Sequence, residues 1–290
     1  MDLLVEDRPA VRLELDSTAE TLTLVRGALG AVAEVLSLDP ELLDDLKTAV
    51  SEACNNVVLH AYGGDSGPLG VALYVNPGEI EVAVRDAGSG IPAGAATDDR
   101  LQGVGLPIIR ALARKAEFVP RPEGGTEVRM VFAGERDGKA LFEPPQHVVP
   151  EDGWLERLSG DAVVSLSPVS FLGAVLGRLA RALAARARFS LDRFSDVYLV
   201  TDAIAAHAAR AAYGGRIAFG VSTATRRLEL TIAPFRPGSG SQLREEPPVR
   251  ELGSPLLLLS DEVQVRPRDG EEVLRVVMID QRREPARDAV

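Results

Sequence analysis

The chain has 290 residues, enough for two domains that each bury a core, and no run of about eighteen apolar residues that would span a membrane. Its 32 basic and 43 acidic residues leave a formal net charge of −11, which argues against nucleic-acid binding and for protein or small-molecule partners. One cysteine, Cys54, excludes an internal disulfide and suits a reducing cytoplasm, and the short acidic start MDLLVEDRPA does not read as a secretory signal.

Val11 to Leu15 alternates apolar and polar residues as a strand does, and Asp16, Ser17 and Thr18 offer N-caps for a helix through Leu36. A second helix is predicted from Asp39-Pro40 to Tyr62, with Asp39 as N-cap, Pro40 at the first helical position and Gly63-Gly64 as the stop. Leu69 to Val75 and Ile80 to Arg85 form a hairpin around Asn76-Pro77-Gly78-Glu79. A Gly-rich loop from Asp86 to Gln102 leads to a helix over Val104 to Ala113, and strands over Ala116 to Val119 and Thr126 to Phe132 follow. This order implies an α+β, two-layer sandwich with helices on one face of a mixed sheet.

The stretch GERDGKALFEPPQHVVPED, from Gly134 to Asp152, loses periodicity and reads as a linker. Beyond it the order recurs: a strand over Ala162 to Leu166, helices over Pro168 to Ala187 and Leu191 to Tyr213, a hairpin over Arg216 to Ser222 and Arg227 to Ala233, and a strand over Glu272 to Ile279. Ala61-Tyr62-Gly63-Gly64 returns as Ala212-Tyr213-Gly214-Gly215, Leu38-Asp39 as Leu191-Asp192, and Gly88-Ser89-Gly90 as Gly238-Ser239-Gly240. The expected organisation is therefore a tandem duplication: a domain over 1–134, a linker over 135–152 and a second copy over 153–290.

Four elements of the first half carry chemistry. In SEACNNVVLHAYGG, residues 51–64, Leu46, Val50, Ala53 and Val57 mark the buried stripe, while Glu52 and Asn56 lie four apart on another face. A carboxylate and a carboxamide oxygen so spaced can share a hard cation, although a solvated polar face also fits. Asp86, before Gly88 and Gly90, can accept a hydrogen bond from an exocyclic amine, or simply make an Asx turn. Gly103 and Gly105 open a helix, where free N–H groups and a positive dipole suit phosphate, and Gly124-Gly125-Thr126 precede the last strand.

Together and in this order these elements resemble the GHKL ATPase superfamily, the histidine-kinase-like fold shared with type II topoisomerases, heat-shock chaperones and mismatch-repair proteins; the resemblance spans Val11 to Ala133. SEACNNVVLHAY is most similar to the bacterial anti-sigma-factor serine kinases of sporulation and stress-response switches. The resemblance implies ATP and Mg²⁺ as cofactors, with Asn56 ligating the metal and Glu52 orienting or deprotonating the attacking hydroxyl. It also implies that Asp86 holds the adenine amine, that Gly88 and Gly90 line that pocket, that Gly103 and Gly105 close a lid over the phosphates, and that Thr126 sits behind the base. His60 is read as structural.

The implied function is a cytoplasmic Mg-ATP-dependent serine/threonine protein kinase that sequesters a sigma factor and phosphorylates an antagonist protein. The alternative is an ATP-gated regulatory binding protein without phosphotransfer. Aligning the two Ala-Tyr-Gly-Gly segments puts Ala203 at Glu52 and His207 at Asn56, with Gly253-Ser254-Pro255 near the lid glycines. The second copy is thus expected to be degenerate and to serve as an interaction surface, in a homodimer or in an intrachain pseudo-dimer.

Overall fold

The computed structural model describes residues 8–89, 105–245 and 255–281. In the first half, β1 (Val11–Asp16) leads to helices α1 (Thr21–Val35) and α2 (Pro40–Asn56), the hairpin β2 (Pro68–Asn76) and β3 (Glu79–Asp86), helix α3 (Gly105–Leu112), and the pair β4 (Lys115–Pro120) and β5 (Thr126–Ala133). A small hairpin, β6 (Glu135–Arg136) and β7 (Lys139–Ala140), follows. The second half runs β8 (Ala162–Leu166), α4 (Leu172–Arg186), α5 (Leu191–Ala211), β9 (Ile217–Ala224), β10 (Arg227–Phe235), α6 (Ser239–Glu245), α7 (Pro255–Leu259), β11 (Glu262–Arg268) and β12 (Glu271–Ile279).

Ten strands form one sheet in the order β11-β12-β10-β9-β8-β1-β2-β3-β5-β4, which reads the same way outward from its centre in both directions. Every pairing in it is antiparallel, so the expected mixed sheet is not found. The two halves meet where β1 lies along β8, with Leu13 opposite Val164. The helices repeat that symmetry: α1 packs on α4 at the centre, α2 flanks α1, and α5 flanks α4.

Alternation along β1 explains the layering. Val11, Leu13 and Leu15 are buried in the core shared with the helices, while Arg12 and Glu14 alternate with them and are only half-buried. In α2, Leu42, Leu46, Ala49, Val50 and Ala53 recur at helical spacing and are buried; each large aliphatic so buried contributes about 1.5–3 kcal/mol. The Asp39 carboxylate caps α2, accepting the N–H groups of Glu41 at 3.1 Å and Leu42 at 3.3 Å, and Pro40 stands in the first turn as the sequence predicts.

The polar residues before α1 behave differently from expectation. None of Asp16, Ser17 and Thr18 is its N-cap; Glu20 occupies that position with no side-chain cap bond. Ser17 Oγ instead accepts the N–H of Gly67 at 3.0 Å, holding the connection from α2 to β2.

The stretch read as a linker is docked along its length. Asp137 (φ 53°) and Gly138 (φ 75°) form the two-residue turn between β6 and β7. Leu141 and Phe142 are buried in the main core, and the Leu141 carbonyl accepts the Asp39 N–H at 2.7 Å. Farther on, Trp154 is buried with Ala218 and Ala233, and its indole N–H donates to Glu271 at 2.7 Å. Arg216, 1% exposed, donates to the carbonyls of Pro9, Val149 and Pro150, to Ser165 Oγ and to Glu151 Oε1. Burial pulls the Arg216 pKa down and pushes that of Glu151 up, each opposed by the charge of the other.

Removing Arg216 would leave four carbonyls or hydroxyls and the Glu151 carboxylate without their cation. Arg216→Ala is expected to lower the unfolding free energy by about 3–5 kcal/mol in urea titration; a loss under about 1 kcal/mol would contradict the role assigned to this clamp.

Candidate functional site

The residues singled out in the first half converge around α2. Glu52 and Asn56 are both half-buried on that helix, whose opposite face is in the core. Gly105, the first residue of α3, lies against them: a Cβ built on it would stand 3.0 Å from Glu52 Oε2 and 3.5 Å from Asn56 Oδ1. The described beginning of α3 thus abuts a carboxylate and a carboxamide. The oxygen chemistry of this pair suits Mg²⁺, which takes few protein ligands and keeps water or phosphate oxygens for the rest. Among the described residues no three His, Cys, Asp or Glu side chains cluster as a closed metal site.

Asp86 ends β3 and is 6% exposed. Its Oδ1 accepts the Gly88 N–H at 2.8 Å and its Oδ2 accepts the backbone N–H of Thr126 at 3.2 Å, so both oxygens are aimed by backbone donors. Thr126 is itself buried at the start of β5. A carboxylate has about four lone-pair sites, so two remain for another donor. Gly88 and Gly125 permit the close approach on which this depends. A Cβ would come within 2.1 Å of the Ala61 carbonyl oxygen at Gly88 and of the Asp86 carbonyl oxygen at Gly125, and Gly125 has φ 87°. Gly90 and Gly103 lie outside the described residues.

The helix predicted through Tyr62 changes character inside the motif. It is α-helical to Asn56, then makes a π turn over Val57–Ala61. A π turn accommodates an extra residue and such turns recur at functional sites. Here the Ala61 carbonyl accepts the N–H of Ser89 at 2.9 Å, tying the end of this helix to the loop that carries Asp86. His60, on the turn, is exposed. Sequence reasoning missed two contributors to the site, Tyr62, whose hydroxyl accepts the Ala87 N–H, and Arg121, whose Nη1 donates to the Asp86 carbonyl at 3.1 Å. Tyr62 stands within the quoted motif, but nothing in spacing singles it out.

Strand register identifies the corresponding positions of the other half. Val71 pairs with Leu13 and Val84, as Phe219 pairs with Val164 and Ile232; beyond Ile232 a register shift brings Phe235 opposite Glu272, so the end of β10 that corresponds to Asp86 is Pro234-Phe235. Likewise Met130 pairs with Val82 as Val276 does with Leu230, which matches Glu272 to Thr126. The segment Gly238-Ser239 is therefore one or two residues beyond the match of Gly88-Ser89, depending on the strand counted from, and Ser190, not Asp192, stands where Asp39 begins its helix. His207 is 2% exposed against the Phe235 ring, with centroids 5.3 Å apart. Glu272 accepts the N–H groups of Gly238 and Gly240, both at 2.7 Å, and the Ser239 hydroxyl at 3.1 Å. Of the lid counterparts, Gly253 and Ser254 lie outside the described residues, and Pro255 opens α7.

Comparison with known proteins agrees with this geometry. Residues 15–132 match the family model of the histidine kinase-like ATPase domain. Curated relatives include serine-protein kinase RsbW of Bacillus thuringiensis (strain Al Hakam) and of Bacillus cereus (strain Q1), each 28% identical over 85 residues, covering 29% of this chain and 53% of the relative. The chain thus spans about half the length of these relatives. A crystal structure of the RsbU and RsbW domains of a Mycobacterium tuberculosis protein overlaps 48% of this chain and 34% of its own, at 25% identity and a TM-score of 0.34. Among the described residues no helix is long and apolar enough to cross a membrane.

Two outcomes check the packing. Gly125→Ala meets both the left-handed conformation and the Asp86 carbonyl, whereas Gly63→Ala at φ 63° meets open space. Thermal unfolding should show Gly63→Ala costing about 1–2 kcal/mol and Gly125→Ala clearly more; equal losses would refute the close approach. Burial pushes the Cys54 thiol up to about 12, so a thiol reagent at pH 8 should label the native chain only at the rate at which it opens.

Proposed function

We propose that the chain is a Mg-ATP-dependent serine/threonine protein kinase that acts as an anti-sigma factor, binding a sigma factor until an antagonist protein, which it phosphorylates, relieves it. The observation that carries this reading is the meeting of Glu52 and Asn56 with the described beginning of α3, in the same half as a buried, doubly oriented Asp86. The likeness of that half to histidine kinase-like ATPase domains and to RsbW kinases supports it.

In this reading each residue has a separate task. Asn56 presents its carboxamide oxygen to Mg²⁺, and the N–H groups at the beginning of α3 face phosphate oxygens. When bound, Mg²⁺ and ATP supply the neutralised, transferable phosphoryl group. Asp86 uses its two remaining lone pairs for the exocyclic amine of adenine, with Gly88 and Gly90 leaving room for the base and Thr126 behind it. Gly103 takes the other lid position. Glu52 accepts the proton of the attacking serine or threonine hydroxyl, work that contributes about 10²–10⁴-fold to rate when the base is well placed.

The other half, residues 153–290, is read as a degenerate copy. Where the first half has Glu52, Asn56 and Asp86, it has Ala203 in place of the carboxylate base, the His207 imidazole in place of an oxygen ligand, and Pro234-Phe235 in place of the carboxylate that would accept an amine. His207 and Phe235 fill the space between helix and strand, and the Glu272 carboxylate takes the backbone donors that an anion would need. Fused to the first half along β1 and β8, it acts as the fixed partner in an intrachain pseudo-dimer and contributes surface for the sigma factor and the antagonist.

Calorimetry with ATP and Mg²⁺ tests the site. Asn56→Ala and Asp86→Asn should each abolish or weaken binding at least tenfold, and binding untouched by both would refute the nucleotide site. Glu52→Ala should retain ATP while phosphate transfer to the antagonist falls by about 10²–10⁴-fold. Sigma-factor release that survives that substitution would favour ATP-gated binding without phosphotransfer.

A further inference from the structure

Tyr62 follows the π turn directly, and its hydroxyl stands between two backbone groups. It accepts the Ala87 N–H at 2.9 Å and donates to the Pro68 carbonyl at 2.5 Å. Its ring lies on Gly67, where a Cβ would come within 2.3 Å of the ring. One side chain therefore joins the end of the α2 segment, the beginning of β2 and the loop leaving β3. Burial raises the hydroxyl pKa above its ordinary value, with the bond from Ala87 opposing, so the group stays protonated and fills both roles at neutral pH.

Ala87 is the residue after Asp86, and its peptide plane sets the direction in which the Asp86 side chain leaves the strand. Arg121 holds the carbonyl end of the same peptide, Gly88 and Thr126 donate to the two carboxylate oxygens, and Ala61 holds Ser89, so Tyr62 supplies the hold at the N–H end. The Tyr62 hydroxyl alone is recorded on the Ala87 N–H among the described side chains. Hydrogen bonds weaken steeply once their angle falls toward about 120°, so a modest rotation of that peptide would misdirect both free lone pairs of Asp86.

We propose that Tyr62 is a positioning residue that sets nucleobase selectivity: by holding the Ala87 N–H it aims Asp86 at a donor, favouring a 6-amino purine over a 6-oxo purine. This rests on the nucleotide-site reading of the first half. A 6-oxo purine presents an acceptor where Asp86 also presents acceptors, and that repulsion discriminates only while the carboxylate points at the base. The second half supplies an internal control. Tyr213 occupies the equivalent place in Ala-Tyr-Gly-Gly, yet its side chain is half exposed, and it is its backbone N–H that donates to Pro234 at 3.1 Å.

The experiment uses the full chain with Mg²⁺ and measures the dissociation constants of ATP and GTP, with the melting temperature, for the native sequence, Tyr62→Phe, Gly67→Ala and Tyr213→Phe. Tyr62→Phe keeps the ring and loses the hydroxyl, and Gly67→Ala displaces the ring. Both should weaken ATP by about tenfold, the scale of one lost hydrogen bond, and shrink the ATP-over-GTP preference by a similar factor, while Tyr213→Phe changes neither. A folded Tyr62→Phe protein with lower melting temperature but unchanged ATP-over-GTP preference would overturn the proposal and leave Tyr62 as a staple. No nucleotide binding by the native chain would overturn the nucleotide-site reading and this proposal together, an outcome distinct from native binding that Tyr62→Phe leaves intact.

Discussion

The pairing of β1 with β8 is the constraint on which the rest of the structure depends. Five residue pairs, from Val11 with Leu166 to Leu15 with Ala162, turn two five-stranded units into one ten-stranded sheet. Each strand would otherwise be an edge with unpaired N–H and C=O groups, a template for association with other chains. Joining them satisfies those groups internally, and it brings α1 against α4 so that the core runs unbroken across the seam. Arg216 reinforces the same place, since the groups it holds come from Pro9 before β1, from β8 and from the connection between the halves.

Given that frame, the two halves differ in the polar side chains they carry. The first half keeps oxygen donors on one helix face and a carboxylate at the end of the neighbouring strand, with glycines wherever backbone must come close. The second has helices and strands in a similar order, with Ala203 and His207 on α5, Pro234-Phe235 at the end of β10, and the Glu272 carboxylate accepting the backbone N–H groups of Gly238 and Gly240. Burying His207 against Phe235 gains packing that an open polar cleft would forgo.

Much of this was legible in the sequence where local chemistry decides. Asp39-Pro40 and Gly63-Gly64 bound their helix segment, and the alternation of β1 and of the hairpin gave strands to within a residue or two. The misses have physical causes. Asp137-Gly138 is a hairpin signal, passed over because the flanking strands are two residues long; Leu141 and Phe142 are single apolar anchors without periodicity, so their stretch resembled a tether. The π turn differs from an α-helix only in hydrogen-bond spacing and leaves no mark in composition. The slips of one or two residues in matching the halves arose because short identities such as Gly-Ser-Gly carry no register, whereas strand pairing does. Of the candidate site, Glu52, Asn56, Asp86, Gly88, Gly105 and Thr126 were all read from sequence, but the hydrogen bonds of Tyr62 and Arg121 depend on segments brought together only by folding.

The number of nucleotide sites per chain bears most directly on the asymmetry between the halves. Equilibrium dialysis of the full chain against ATP and Mg²⁺, at protein concentrations well above the dissociation constant, should saturate at one nucleotide per chain. Saturation at two would contradict the assignment of the second half as a degenerate copy, and no binding would contradict the nucleotide site itself.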